Sequence, residues 1–369
     1  MSKWEKVKFE DLIEDKTRLG FKIKKEDYLP QGNYPVIDQG QEYVAGYINT
    51  NKGIFNDVPA IIFGDHTRII KYVDIPFFLG ADGVKLLKCK SQNTSYKYLY
   101  YYFLKNEVPN TGYNRHFKWL KELLIPLPPY EVQNQIAQNL DTVSELLVLR
   151  KKQLEELDGL IKSVFYDMFG DPVLNKMRWA TQPMLKVGKF VSGGTPSKER
   201  NDYWIGNFPW VSPKDMKVPY ILNSQNYISN NVFEETSLKK IPPGHLLIVV
   251  RGMILTHSFP TAINTVEVSI NQDMKAILPI DELNVVYLKH CLDNMTHQIL
   301  KIITTAGHGT KKFNTDSMGK VFIPVPPLSL QNQFTSIVTK FEEQKSLVKQ
   351  SIEETQTLFD SLMSQYFDD

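Results

Sequence analysis

Residues 125–135 read IPLPPYEVQNQ, and residues 323–333 read IPVPPLSLQNQ, seven of eleven identical at an offset of 198. A chain that repeats itself at this distance is constrained to build something twice. Beyond each copy, apolar residues recur every three or four positions. In the first they are Val132, Ile136, Leu140, Val143, Leu147, Leu154, Leu157, Ile161, Val164 and Met168, with Arg150 in one slot. In the second they are Leu330, Phe334, Val338, Phe341, Val348, Ile352, Phe359, Leu362 and Tyr366, with Lys345 and Thr355 as polar slots. This is a heptad seam, narrower than the face of a globular helix. Pro128–Pro129 and Pro326–Pro327 lack amide donors and suit an extended approach to a first helical turn. FGDP at 169–172 stops the first helix, and Gly159 is its one internal flaw. Each predicted helix is roughly 55 Å long at about 1.5 Å per residue. The economical partner for each is the other, paired antiparallel within the chain. The competing reading packs each helix on its own globular domain or on another protein.

The intervening halves repeat more faintly and in the same order. GNYPVID at 32–38 parallels GNFPWVS at 206–212, and AIIFGDHTR at 60–68 parallels LLIVVRGM at 246–253. FLGADGVKLL at 78–87 parallels VSINQDMKAI at 268–277, and YLYYYFL at 98–104 parallels YLKHCLD at 287–293. GYNRHFKW at 112–119 parallels GHGTKKFN at 307–314. Short β-type runs mixed with one or two helices imply α+β domains. The expected order is a first domain over 1–127, a long helix over 128–170, a second domain over 171–325 and a long helix over 326–369. The predicted fold is therefore two similar α+β domains joined by an antiparallel intramolecular coiled coil, an internal repeat with pseudo-twofold character.

Composition narrows the function classes. The net charge of +2 requires any nucleic-acid surface to be made by local clustering. Two cysteines, Cys89 and Cys291, cannot form a disulfide framework or a zinc cage, and read as reduced, buried thiols in a cytoplasmic protein. The charged start MSKWEKVKFEDLIEDK does not read as a signal peptide, and no apolar run reaches the roughly 20 residues of a membrane span.

No catalytic motif stands out. LPPY at 127–130 brushes an amino-methyltransferase motif, but Leu127 stands where an acid or amide is needed, and the second copy ends in Leu328. SGGTPSK at 192–198 lacks P-loop spacing, no dinucleotide or S-adenosylmethionine loop is visible, and the seven histidines show no metal-ligand spacing. GDH at 64–66 reads as a strand-end turn rather than an acid–base pair. The chain offers instead basic loops interleaved with aromatics. Their candidate DNA contacts are His66, Arg68, Arg115, His116 and Lys118 in the first half. In the second half they are Lys198, Arg200, Lys214, Arg251, Lys311 and Lys312, beside His308. Arginine and lysine position a protein on phosphates and, with asparagine and glutamine, read base edges. For each residue the competing reading is a solvated surface charge.

The paired proline–helix elements, the block VSGGTPSKERNDYWIGNFPWVSPKDM at 191–216 and the run IIFGDHTRII…FFLGADGVKLL within 61–87 resemble the specificity subunits of type I restriction–modification systems over essentially the whole chain. The resemblance implies two target recognition domains, each reading half of a bipartite site in double-stranded DNA, with the helices as a ruler. It also implies docked methyltransferase subunits, two copies of which are expected, and restriction–translocase subunits. S-adenosylmethionine, ATP and magnesium would belong to those partners, and this chain would hold no cofactor or metal and catalyse nothing. Inserting or deleting helix residues, for instance near Arg150, should change the tolerated spacer and not the half-sites. Three rivals stay open: a cryptic methyltransferase or nuclease, a protein-only coiled-coil scaffold, and a subunit of a Type IIB-like or orphan system.

Overall fold

The computed structural model describes residues 4–80, 83–305 and 309–368. The expected loop residues Ala81, Asp82, Gly307 and His308 lie outside the described residues. The chain divides into two units, one of Met1–Lys152 with Lys349–Asp369 and one of Gln153–Val348. Each long helix is therefore shared between units, whereas the sequence reading treated the helices as segments of their own.

In the first unit the order is β1 (Lys6–Lys8), α1 (Phe9–Leu12), β2 (Ile13–Asp15), β3 (Tyr34–Ile37), β4 (Gly46–Ile48), β5 (Ala60–Gly64), β6 (Ile70–Val73), β7 (Phe78–Leu79), β8 (Val84–Cys89), α2 (Tyr96–Lys105), α3 (Phe117–Lys121) and β9 (Leu124–Pro126), leading into α4 (Tyr130–Phe169). One sheet runs β2-β8-β5-β6 and a second runs β4-β3-β7, with β3 and β7 parallel. The run AIIFG of β5 is buried at every position because it is a central strand covered on both faces. The aromatic side of α2 (Tyr98, Leu99, Tyr102 and Phe103) joins Phe9, Phe63 and Phe117 in the core.

The second unit repeats this plan with insertions. It contains β10 (Thr181–Pro183), β11 (Gly188–Ser192), β12 (Phe208–Val211), β13 (Tyr220–Ile221), β14 (Asn226–Ile228), α5 (Val232–Glu235), β15 (Leu246–Val249), β16 (Thr261–Asn264), β17 (Ser269–Ile270) and β18 (Met274–Pro279). There follow α6 (Val285–Asn294), α7 (Thr296–Ile302), β19 (Thr304–Thr305), β20 (Lys311–Lys312), α8 (Thr315–Met318), β21 (Phe322–Pro324) and α9 (Leu328–Phe367). Its sheets run β11-β18-β15-β16-β13 and β14-β12-β17, with β12 and β17 parallel. GNYPVID and GNFPWVS thus supply the middle strand of the small sheet in each unit, and AIIF and LLIV a central strand of the large one.

The duplicated PP…QNQ has a direct structural cause. Gln133 is almost wholly buried. Its Nε2 donates to Pro128 O at 2.8 Å and Asn93 O at 3.3 Å, while its Oε1 accepts from Ser95 N at 2.9 Å. In the second unit Gln331 Nε2 donates to Pro326 O at 2.7 Å and Glu282 O at 2.9 Å, and its Oε1 accepts from Asn284 N at 2.8 Å. Ser95 and Asn284 are the N-cap residues of α2 and α6. One glutamine therefore ties the start of a long helix to the start of a domain helix. Tyr98 and Tyr287 reinforce the joint, their hydroxyls donating to Pro126 O at 2.7 Å and Pro324 O at 2.9 Å. The strand before each proline pair is held by an antiparallel ribbon, Val7 opposite Ile125 and Gln182 opposite Ile323.

Within each unit the two helix segments run antiparallel. In the first unit Asn139 Nδ2 donates to Tyr366 Oη at 2.8 Å, and further along α4 Arg150 donates to Ser351 O and Thr355 Oγ1. Ile136 and Leu140 share a core with Phe359, Leu362, Met363 and Phe367, and Val143 and Leu147 are buried. In the second unit Lys345 Nζ lies 2.7 Å from Asp158 Oδ1, and the rings of Phe165 and Phe169 pack at 5.6 and 5.4 Å on Phe334. Ile161, Val338 and Val348 are buried, while Leu154, Leu157, Val164 and Phe341, and Ile352 in the first unit, are half-buried. The polar heptad slots are thus polar layers inside the seam, Arg150 against Thr355 and Lys345 against Asp158 and Glu342. Gly170, at φ +75°, closes α4, its N–H donating to Tyr166 O at 2.9 Å. A Cβ at Gly159 would meet nothing within 4 Å, so this glycine weakens the helix by about 1 kcal/mol without a packing reason.

His290 on α6 sets an acid limit for the second unit. Burial, with Lys289 and Lys345 adding repulsion, pushes its imidazole down to about 4, although Asp293 and Asp158 act the other way. The folded value lies below the unfolded value of about 6.5. The neutral ring's contribution is therefore complete above pH ~6.5 and is lost as pH falls toward about 4, on the order of 2 kcal/mol. Urea midpoints at pH 7.5 and 4.5 should separate more in the wild type than in His290→Leu. Equal separation would contradict this assignment.

Candidate DNA interface

In the first unit a cleft of about 250 Å³ opens beside the turn after β5, lined by Thr17, Lys22, Asp65, His66, Gly83, Val84, Lys85 and Arg115. The GDH turn is rigid. Asp65 is buried, its Oδ1 accepting from Phe117 N at 2.8 Å and its carbonyl from His116 N at 2.8 Å. His66 N–H donates to Gln39 Oε1 at 3.2 Å, and its ring stacks on Tyr113 at 5.0 Å and 8°. Tyr113 itself is 90% exposed. Arg115 is exposed and makes no ion pair among the described residues. Lys85 is partly engaged, 2.9 Å from Asp15 Oδ2 and over the Phe117 ring at 4.8 Å. Lys118 is exposed and covers Trp119 at 4.7 Å.

One expectation for this unit needs correction, that for His116, and Arg68 lies apart from the cleft. His116 is fully buried, its ring fixed between Asp65 O at 3.0 Å and Thr111 N at 3.3 Å, so it shapes the turn and cannot reach DNA. Arg68 sits at φ +65° and points to Val108 O (3.2 Å) and Glu107 (3.9 Å), in a separate cleft with Phe63 and Phe103. The structure does not bring it together with His66 and Arg115.

In the second unit a larger cleft, about 670 Å³, is lined by Lys198, Asn201, Trp204, Trp210, Ser212, Pro213, Lys214, Asn226, Asn271 and Asp273. The expected Lys198 and Lys214 are here, exposed and without an ion pair among the described residues. Arg200 is not. Its guanidinium grips Asp202 at 2.7 and 2.9 Å and Glu235 at 3.0 Å, and lies over the Tyr203 ring at 4.3 Å. The hydrogen bond from Arg200 holds the Asp202 carboxyl below its ordinary value. Its charge is engaged within the chain at an exposed position outside the cleft lining. Arg251, Lys311 and Lys312 are outside the cleft lining: the backbone of Arg251 pairs with that of Lys312 in a β-bridge, its side chain approaches Asp273 of the cleft at 4.0 Å, and Lys311 donates to Thr305 Oγ1 at 3.0 Å. Asn201, Asn226 and Asn271 are absent from the expected contacts because a lone amide carries no spacing signal. The parallel between FLGADGVKLL at 78–87 and VSINQDMKAI at 268–277 was the available hint.

The remaining chemistry is quiet. Burial pushes both the Cys89 and Cys291 thiols up to about 12, far from a reactive thiolate. No group of three His, Cys, Asp or Glu side chains among the described residues could hold a metal. No described helix is long and apolar enough to cross a membrane.

Two units of similar topology, each with an open cleft lined by cations, polar groups and, in one, indole rings, define an internally repeated α+β protein. Comparison with known proteins gives that class its family. The description "Type I restriction modification DNA specificity domain" matches residues 1–158 and 178–356. The chain is 30% identical over 347 residues to the specificity subunit of the Escherichia coli type I restriction enzymes EcoR124I/EcoR124II, covering 87% of this chain and 82% of that protein. It is 28% identical over 346 residues to a putative type I specificity subunit of Haemophilus influenzae, covering 84% and 80%. The crystal structure of the S subunit from M. genitalium has the same fold, with a TM-score of 0.64 at 18% identity over 99% of this chain and 96% of that one. The chain belongs to the type I restriction–modification specificity subunits, the non-catalytic members of those systems.

Proposed function

We propose that this chain is the sequence-reading subunit of a type I restriction–modification complex acting in the cytoplasm. Each unit reads one half of a bipartite site in double-stranded DNA. The helices fix the spacer and dock methyltransferase subunits, two per chain, to which restriction–translocase subunits add. S-adenosylmethionine, ATP and magnesium are held by those partners. The observation that carries this reading is the duplication with divergence: one topology twice, a donor-rich cleft with His66 and Arg115 in one unit, and an amide–indole cleft in the other. Equal scaffolding units would have no reason to differ there, whereas two readers of different half-sites must. The modest net charge fits a subunit whose partners supply much of the phosphate-binding surface.

The test is an exchange of residues 178–322 for those of another family member, in cells that carry the cognate methyltransferase subunit. Methylation should move to a site with one new half, one old half and an unchanged gap. A change in both halves, or in neither, would refute the division of labour.

A further inference from the structure

Asn226 stands out in the second cleft. It begins β14, the edge strand of the small sheet, where it pairs with Trp210 across the ladder. Its side-chain amide makes no hydrogen bond among the described residues and is exposed. The indoles and the carboxylate beside it are committed. The indole N–H groups of Trp204 and Trp210 donate to Ser197 O at 3.1 Å and Gly194 O at 3.0 Å, so the two rings, 5.1 Å apart and edge to face, act as walls. Asp215 ties the Lys214 loop to the start of β14. Its Oδ2 accepts from Ser212 N and Oγ at 2.8 and 3.0 Å, and its Oδ1 accepts from Gln225 N at 2.8 Å. The backbone of Lys214 is thereby fixed beside Asn226, while the Lys214 ammonium stays free.

This arrangement places an unpaired amide on an anchored strand beside a free cation. An amide presents one donor and one acceptor side by side, the complement of adenine N7 and its N6 amino group in the major groove. Lysine is a flexible point charge that suits a phosphate. We propose that Asn226 reads an adenine in the half-site of the second unit, and that Lys214 contacts the adjoining phosphate backbone without reading sequence. The proposal rests on the DNA-reading function argued above.

The experiment is methylome sequencing of cells carrying the cognate methyltransferase subunit with the wild-type chain, Asn226→Ala, Asn226→Asp or Lys214→Ala. Asn226→Ala should relax one position of one half-site, discrimination there falling on the order of ten- to a hundredfold. Asn226→Asp, which only accepts, should shift that position toward cytosine. Lys214→Ala should lower methylation at all sites alike and leave the motif intact. An unchanged motif in both Asn226 variants overturns the proposal. So does complete loss of methylation in both when their melting temperatures match the wild type, because Asn226 would then serve affinity alone. A wild-type chain that directs no methylation refutes the DNA-reading function itself, a result distinct from either of these.

Discussion

Gln133→Leu is expected to destabilise the first unit by about 2–4 kcal/mol, and Gln331→Leu the second by a similar amount. Leucine fills the space but strips partners from three backbone groups at each joint: Pro128 O, Asn93 O and Ser95 N in one, Pro326 O, Glu282 O and Asn284 N in the other. A buried backbone group left without a partner costs roughly 1–3 kcal/mol. Solvent reaches the more exposed Asn93 and Glu282, which holds the total below a full sum. Urea unfolding of the full chain would show it as an early transition confined to the altered unit. A loss under about 0.5 kcal/mol in both variants would mean that the glutamines only occupy space. Each double change, with Tyr98→Phe or Tyr287→Phe, should cost less than the sum, because both side chains secure one proline turn.

Inserting seven residues after Lys151 and seven after Lys349 should lengthen the gap between the half-sites and leave both half-sites unchanged. A full heptad in each helix preserves the seam phase, so the apolar layers and both polar layers keep their partners. Seven residues add about 10 Å of helix, equal to roughly three base pairs. The expected motif is the native one with its spacer extended by about that number. The polar layers are what make the paired insertion necessary. Arg150 on Thr355 and Lys345 on Asp158 penalise any slipped register, which would strip the half-buried guanidinium of its acceptors and the buried ammonium of its carboxylate, so a single unmatched insertion should also lower stability. Methylation with an unaltered spacer would separate the helices from any measuring role.

The helices were legible because their signal is additive. A heptad over 40 residues averages away local exceptions, and proline pairs and Gly170 punctuate its ends. The paired order of strands was legible only through duplication. FGDHTR and VVRGM share almost no residues, yet both follow a central buried strand. The seam also has knobs that the pattern passed over. Ala137, Phe165, Phe169, Met363 and Phe367 are buried because the helix ends pack on the domains as well as on each other, which widens a two-position stripe. The site was less legible, since charge alone does not say where a side chain points. Arg200 and Arg68 look like Lys214 and Arg115 in sequence, but the first two meet acceptors in the chain and the others do not. His116 and His66 stand in similar basic loops, and only packing distinguishes the buried ring from the one stacked at the surface.

The central claim is that this chain gives a methyltransferase its sequence. Methylome sequencing of cells carrying the cognate methyltransferase subunit with and without this chain tests it most directly. The account predicts a single bipartite motif, two short half-sites around a fixed gap, methylated only when the chain is present. Methylation that is independent of the chain, or that falls on a motif without a gap, would contradict it.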